Sequence, residues 1–92
     1  DGGDTWQNSY PALASKGEDI VACMALLKPD AMVGHWEFTL GAERVKELIA
    51  RLDYPFLGQN VRETEWNEAA FEPMTIFERG GVRIAIIGQA FP

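Results

Sequence analysis

Apolar residues recur at helical spacing in two stretches of the chain. Ile20, Cys23, Met24 and Leu27 fall at i, i+3, i+4 and i+7, one face of a helix that starts near Glu18, and Pro29 stops it. Within 41–52, Val45, Leu48, Ile49 and Leu52 repeat that spacing, and Glu47 and Arg51 form a favourable i, i+4 pair. Ser9 followed by Pro11 is a helix-start signal, so a short helical turn is expected over 12–15, with a break at Gly17. Ala31, Met32 and Val33, ended by Gly34, read as a buried strand. Residues 55–61 read as a second strand with Asn60 near its end, and 73–78 as a third. Gly80-Gly81 suits a two-residue hairpin turn, since both positions tolerate positive φ. The stretch 82–87 is apolar and β-branched on both faces, which predicts a central strand covered on both sides. Residues 35–38 read as a loop and 62–71 as a polar, irregular segment. This order predicts an α/β fold with parallel crossovers early and an antiparallel pair late.

Composition narrows the class without giving a function. The chain has 92 residues, 47% hydrophobic and 24% charged, values of a globular chain and not of a disordered one. No apolar run reaches the length of a membrane-spanning helix. A net charge of −6 argues against non-specific nucleic-acid binding. A lone cysteine excludes an internal disulfide and a four-cysteine zinc site, and Cys23 reads as buried filler rather than a nucleophile. The chain opens on Asp1-Gly2-Gly3-Asp4 without a methionine and closes just after an apolar strand. Both ends are therefore expected inside ordered elements, as in an internal piece of a larger protein.

In open α/β sheets, ligands bind beyond the carboxyl ends of the strands. Two loops are expected there: residues 2–7, if Asp1 closes a strand, and residues 34–37. Each offers one metal-ligand side chain beside glycine, Asp4 in the first and His35 in the second. A carboxylate can bridge two divalent cations and an imidazole can complete one of them. Such a pair polarises an anionic ester and makes hydroxide near neutral pH. Each residue also has a plainer role open to it. Asp4 suits a turn or cap, His35 a solvated or structural histidine, and Glu37 a partner for a backbone N–H. Trp6 and Trp36 suit packing. No Ser-His-Asp spacing stands out, and the glycine-rich start lacks the Lys-Ser/Thr of a phosphate-binding loop.

Gly3-Asp4 with Gln7 and Ser9 resembles the second metal motif of the calcineurin-like metallophosphoesterases, in the branch shared with 5′-nucleotidases. The next motif of that branch is usually Gly-Asn-His-Glu-Phe, and here it is Gly34-His35-Trp36-Glu37-Phe38. That departure resembles the SoxB family of sulfur-oxidation proteins. Asp-Gly-Gly-Asp-Thr-Trp-Gln at 1–7, Gly-His-Trp-Glu-Phe-Thr at 34–39 and Ile-Gly-Gln-Ala-Phe-Pro at 87–92 resemble it too, as does Gln59-Asn60-Val61.

The resemblance implies a four-layer αββα metallophosphoesterase sandwich. Residues 1–92 would be an internal piece of its N-terminal domain, with the C-terminal domain outside it. It implies a periplasmic protein with two Mn2+ ions that hydrolyses sulfate from a sulfonated cysteine persulfide on the carrier SoxY, working as SoxYZ. Asp4 would be the carboxylate bridging the metals. His35 would replace the usual asparagine ligand, and Trp36 would stand where phosphoesterases keep a catalytic histidine. Glu37 and Asn60 would lie behind the ligands or on the substrate side. Asn8 departs from a glycine frequent in the broader branch. Two metals need about six protein ligands, of which only Asp4 and His35 lie here, so the piece alone is expected to be inactive. The alternatives are a 5′-nucleotidase-like phosphoesterase, against which Gly34-His35-Trp36-Glu37-Phe38 argues, and a non-enzymatic α/β binding module. The exposed segment 62–72 is a candidate carrier contact.

Overall fold

Ser9 caps the first helix as its position predicts. In the computed structural model, which describes residues 1–91, its Oγ accepts the Ala12 N–H at 3.1 Å and opens α1 (Tyr10–Ser15). Pro92, the end of the third motif, lies outside the described residues. Lys16 closes α1 in the left-handed region, and α2 (Glu18–Leu27) follows at once from Gly17. Gly17 is buried, and a Cβ there would come within 3.0 Å of Leu48 and 3.1 Å of Leu40.

The buried face of α2 is one stripe away from the expected one. Val21 is buried with Ile20 against the core, whereas Cys23, Leu26 and Leu27 are exposed. The helix is apolar nearly all round, so spacing alone does not choose its inner face. Cys23 is therefore not buried filler. α3 (Ala42–Ile49) buries Val45 and Leu48 as its stripe predicts, and Ala50 to Leu52 prolong it by a tight turn. Arg51 reaches across to Glu18 and not back to Glu47. Glu18 and Glu47 both bind the Arg44 guanidinium, at 2.8 and 3.0 Å, and raise its pKa. Glu18 thereby ties the start of α2 to α3.

β1 (Met32–Val33) runs parallel to β2 (Phe56–Leu57), so the expected strand over 55–61 is cut to two residues and turns at Gln59-Asn60. Asp1 lies along the other edge of β1. Its amino nitrogen donates to the Ala31 carbonyl and its carbonyl accepts the Val33 N–H, both at 2.9 Å. Leu57 bridges in parallel to Glu72, which leads into β3 (Met74–Arg79). β3 pairs antiparallel with β4 (Val82–Ile87) across the Gly80-Gly81 turn, where both φ are positive. The α/β order, parallel early and antiparallel late, is as expected. The expected loop at 35–38 is instead a 3-10 turn over Trp36–Leu40.

Among the described residues nothing covers β4 as a central strand would be covered. Among the described residues it pairs with β3 alone, and Val82 and Ile87 are each 60% exposed. A two-stranded ribbon has no neighbour to shield either face, whatever its composition. The core lies at the other end, where Trp6, Val21, Met32, Val45, Leu48, Tyr54 and Phe56 pack together. Phe38, Phe56 and Phe71 extend it through tilted and edge-on ring contacts 5.2–6.2 Å apart. Trp6 is wholly buried, 5.7 Å from the Phe56 ring, which fits its reading as a packing residue.

Gly88 lies directly on β2. A Cβ there would sit 2.3 Å from Leu57 Cβ and 2.6 Å from its carbonyl carbon. Gly88→Ala is expected to destabilise the protein by about 3 kcal/mol, the upper part of the usual overpacking range, in a urea titration. Burial, then the charge of Asp53, raises the Tyr54 hydroxyl pKa, so the neutral phenol is favoured when folded. Stability is then lost as pH rises past the ordinary tyrosine pKa of about 10, where the unfolded chain ionises first. Tyr54→Phe should flatten that alkaline loss in thermal melts across pH 9–12.

Candidate metal centre

Two loops leave the carboxyl ends of neighbouring strands and touch. The first follows Asp1, and the second follows β1. Gly3 makes the approach possible, with φ +85° and a Cβ position 2.6 Å from the Val33 carbonyl oxygen and 2.7 Å from His35 Cβ. No side chain fits there. The Asp1 carboxylate shapes the first loop from behind, accepting the Gly3 N–H at 3.0 Å and the Thr5 hydroxyl at 2.9 Å. An Asp before two glycines is a signal for such a turn.

Asp4 follows in the left-handed region, at φ 59°, a conformation that costs a non-glycine residue about 1 kcal/mol or more. It leaves the carboxylate half-exposed at the rim, where Oδ1 accepts from the side-chain amides of Gln7 and Asn8. Asn8 also has positive φ, so the departure from glycine is accommodated by asparagine's tolerance of that region. Asp4 Oδ1 lies 4.0 Å from His35 Nδ1. That is too long for a hydrogen bond. The Nδ1 atom is buried and has no hydrogen-bond partner. An unpartnered imidazole nitrogen facing a carboxylate is the donor chemistry that a divalent transition-metal ion takes. Among the described residues no group of three His, Cys, Asp or Glu side chains assembles that could hold a metal. The pair fits as part of a ligand set and not as a whole one.

Glu37 is completely buried. Its Oε1 accepts the Thr5 N–H at 2.6 Å and the Trp6 N–H at 3.4 Å, and its Oε2 accepts the His35 N–H at 2.7 Å. Of its two readings, the backbone one holds. One carboxylate thus ties both loops together from below. Trp36 is half-exposed and does not enter the core, contrary to the packing reading. Its ring lines a cavity of about 300 Å³ with His35, Phe38, Thr39 and Phe91.

Asn60 does not meet Asp4 or His35. Its amide closes a two-point clamp on Ala90, donating to the carbonyl at 2.8 Å and accepting the N–H at 2.9 Å. The next residue, Phe91, stacks on the His35 ring with centroids 4.8 Å apart and planes 20° from parallel. Phe91 was legible only as part of the third motif, because nothing in its spacing links it to His35. The segment 62–72 carries the exposed Trp66 and is held to α3 by Lys46–Glu63 at 3.1 Å. Glu63 raises the Lys46 pKa.

Glu37→Gln would put an amide where three N–H groups converge, so at least one donor loses its acceptor. The expected cost is about 2 kcal/mol in a denaturant titration, that of a charge-assisted hydrogen bond.

No protein-family model matches the chain, and no curated protein matches it. Among solved structures, the sulfate thiohydrolase SoxB of Thermus thermophilus, in complex with glycerol, matches with a TM-score of 0.92 and 39% sequence identity. The alignment covers 100% of this chain and 17% of that one, so the chain spans about a sixth of that protein's length. With identity at that level and a superposition that leaves no part of the chain unmatched, the chain is identified as a SoxB-like fragment.

Proposed function

We propose that this segment belongs to a metal-dependent sulfate thiohydrolase, and that Asp4 and His35 are two of its metal ligands. The observation that carries the reading is the buried, unpartnered His35 Nδ1 facing the Asp4 carboxylate 4.0 Å away. In this reading the remaining ligands, the four-layer sandwich and the periplasmic location belong to the whole protein. Two Mn2+ ions bound there would supply Lewis acidity and a water that ionises near neutral pH. Asp4 and His35 would hold them, and the Gly3 contact and Glu37 would keep the two donors at a fixed separation.

The proposed substrate is a sulfonated cysteine persulfide on SoxY. In its hydrolysis a water oxygen bonds to the sulfonate sulfur and the S–S bond to that sulfur breaks. Sulfate and the persulfide anion leave, and solvent takes the protons. A persulfide is a far better leaving group than an alkoxide and needs no acid to protonate it. Trp36, half-exposed beside His35, offers no such acid. A phosphoesterase acting on alkoxide esters has use for a histidine there.

In the manganese-loaded full-length protein, Asp4→Ala or His35→Ala is expected to abolish sulfate release from sulfonated SoxY, read by ion chromatography. Phosphate release from a nucleotide monophosphate, with none of sulfate, would replace this reading with the phosphoesterase one. Trp36→His should leave sulfate release no faster than in the unaltered protein, and a large gain would refute the leaving-group argument.

A further inference from the structure

The His35 ring is held by a residue that no metal would touch. Phe91 lies flat on it, yet Phe91 is itself 54% exposed and has little packing to keep it there. Its place is set through the preceding residue. Ala90 is buried, and both of its backbone polar groups are taken by the Asn60 amide. The neighbouring residues add to the same attachment. The Gln59 N–H donates to the Gly88 carbonyl at 2.7 Å, and the Gln59 and Gln89 side chains pair at 2.8 Å. The turn after β2 therefore grips the strand end after β4, and that end presents a phenyl ring to the imidazole.

Resting on the proposed function, we propose that Asn60 and Phe91 are positioning residues that fix the plane of the His35 imidazole for metal binding. An imidazole without a stacked partner turns about its Cβ–Cγ bond, and binding an ion must then order it. A ring already held with Nδ1 toward Asp4 has that ordering done before the ion arrives. Groups that orient metal-binding histidines typically change metal affinity by about 10–100-fold when removed. Asn60 acts on His35 only through Ala90 and Phe91, so the two residues work in series.

The test is a Mn2+ titration of the metal-stripped full-length protein, reading free Mn2+ by its electron paramagnetic resonance signal, with no turnover involved. Phe91→Ala and Phe91→Leu are each expected to weaken binding about tenfold, and Phe91→Tyr, which restores a stacking ring, to recover it. Circular dichroism checks that these variants keep the fold. Asn60→Ala should match Phe91→Ala, and the double variant should be no weaker than either. Wild-type affinity in Phe91→Ala, or full recovery with Leu, would overturn the stacking role. Full additivity in the double variant would overturn the link through Asn60. His35→Ala separates the two levels. Weak binding there beside intact binding in Phe91→Ala overturns the positioning alone. Intact binding in His35→Ala overturns the ligand reading and the positioning with it.

Discussion

A single buried carboxylate organises this structure. Glu37 sits where backbone N–H groups from two loops converge, and neither loop has a regular partner for those groups. Removing water from an anion is costly unless hydrogen bonds replace it, and here the replacement comes from main chain some 30 residues apart in sequence. The same carboxylate lies two residues from His35 along the chain and supports the peptide next to Asp4. The separation between the two candidate donors is thus set by a group that need never touch a metal.

That support accounts for the local strain. Gly3, Asp4 and Asn8 all take positive φ within six residues, an arrangement a free loop would relax. Asp1 holds the turn from one side, Glu37 holds the peptides after it, and Gly3 rests on the strand end beneath His35. The rim residues Gln7 and Asn8 then aim their amides at Asp4 Oδ1. Strain of this kind persists where surrounding contacts over-determine it, a frequent condition at binding sites.

Much of this was legible in the sequence, for reasons that differ from one element to the next. The stripe of α3 is sharp because Glu43, Arg44, Lys46 and Glu47 mark its outer face, which leaves Val45 and Leu48 to point inward. α2 misled because apolar residues surround it. With nothing polar to mark the outer face, tertiary packing chose Val21 and left Cys23 outside. Strand ends at 58–61 were overextended because Gly58 to Val61 keep an extended-looking composition while turning to meet Gly88. Asp4 and His35 stand out as candidate donors because each sits beside glycine in a loop after a strand. The partners of Glu37, Asn60 and Phe91 could not be read in this way, since each lies 30 or more residues away in the chain. Such long-range pairing has no local signature.

The hairpin of β3 and β4 has a consequence for how such a protein is made. Its contacts are local, so it closes early, before pairings between distant strands. From that moment it carries a β-branched ribbon with an open edge and with Ile76, Val82 and Ile87 facing water. An open edge of that composition accepts any strand of matching register, from its own chain or from another. A strand from the same protein that reaches this edge extends the sheet, and one from a second chain makes an intermolecular pair. The charged side chains of Glu78 and Arg83 near the turn, with Arg79 paired to Asp30, oppose such intermolecular pairing.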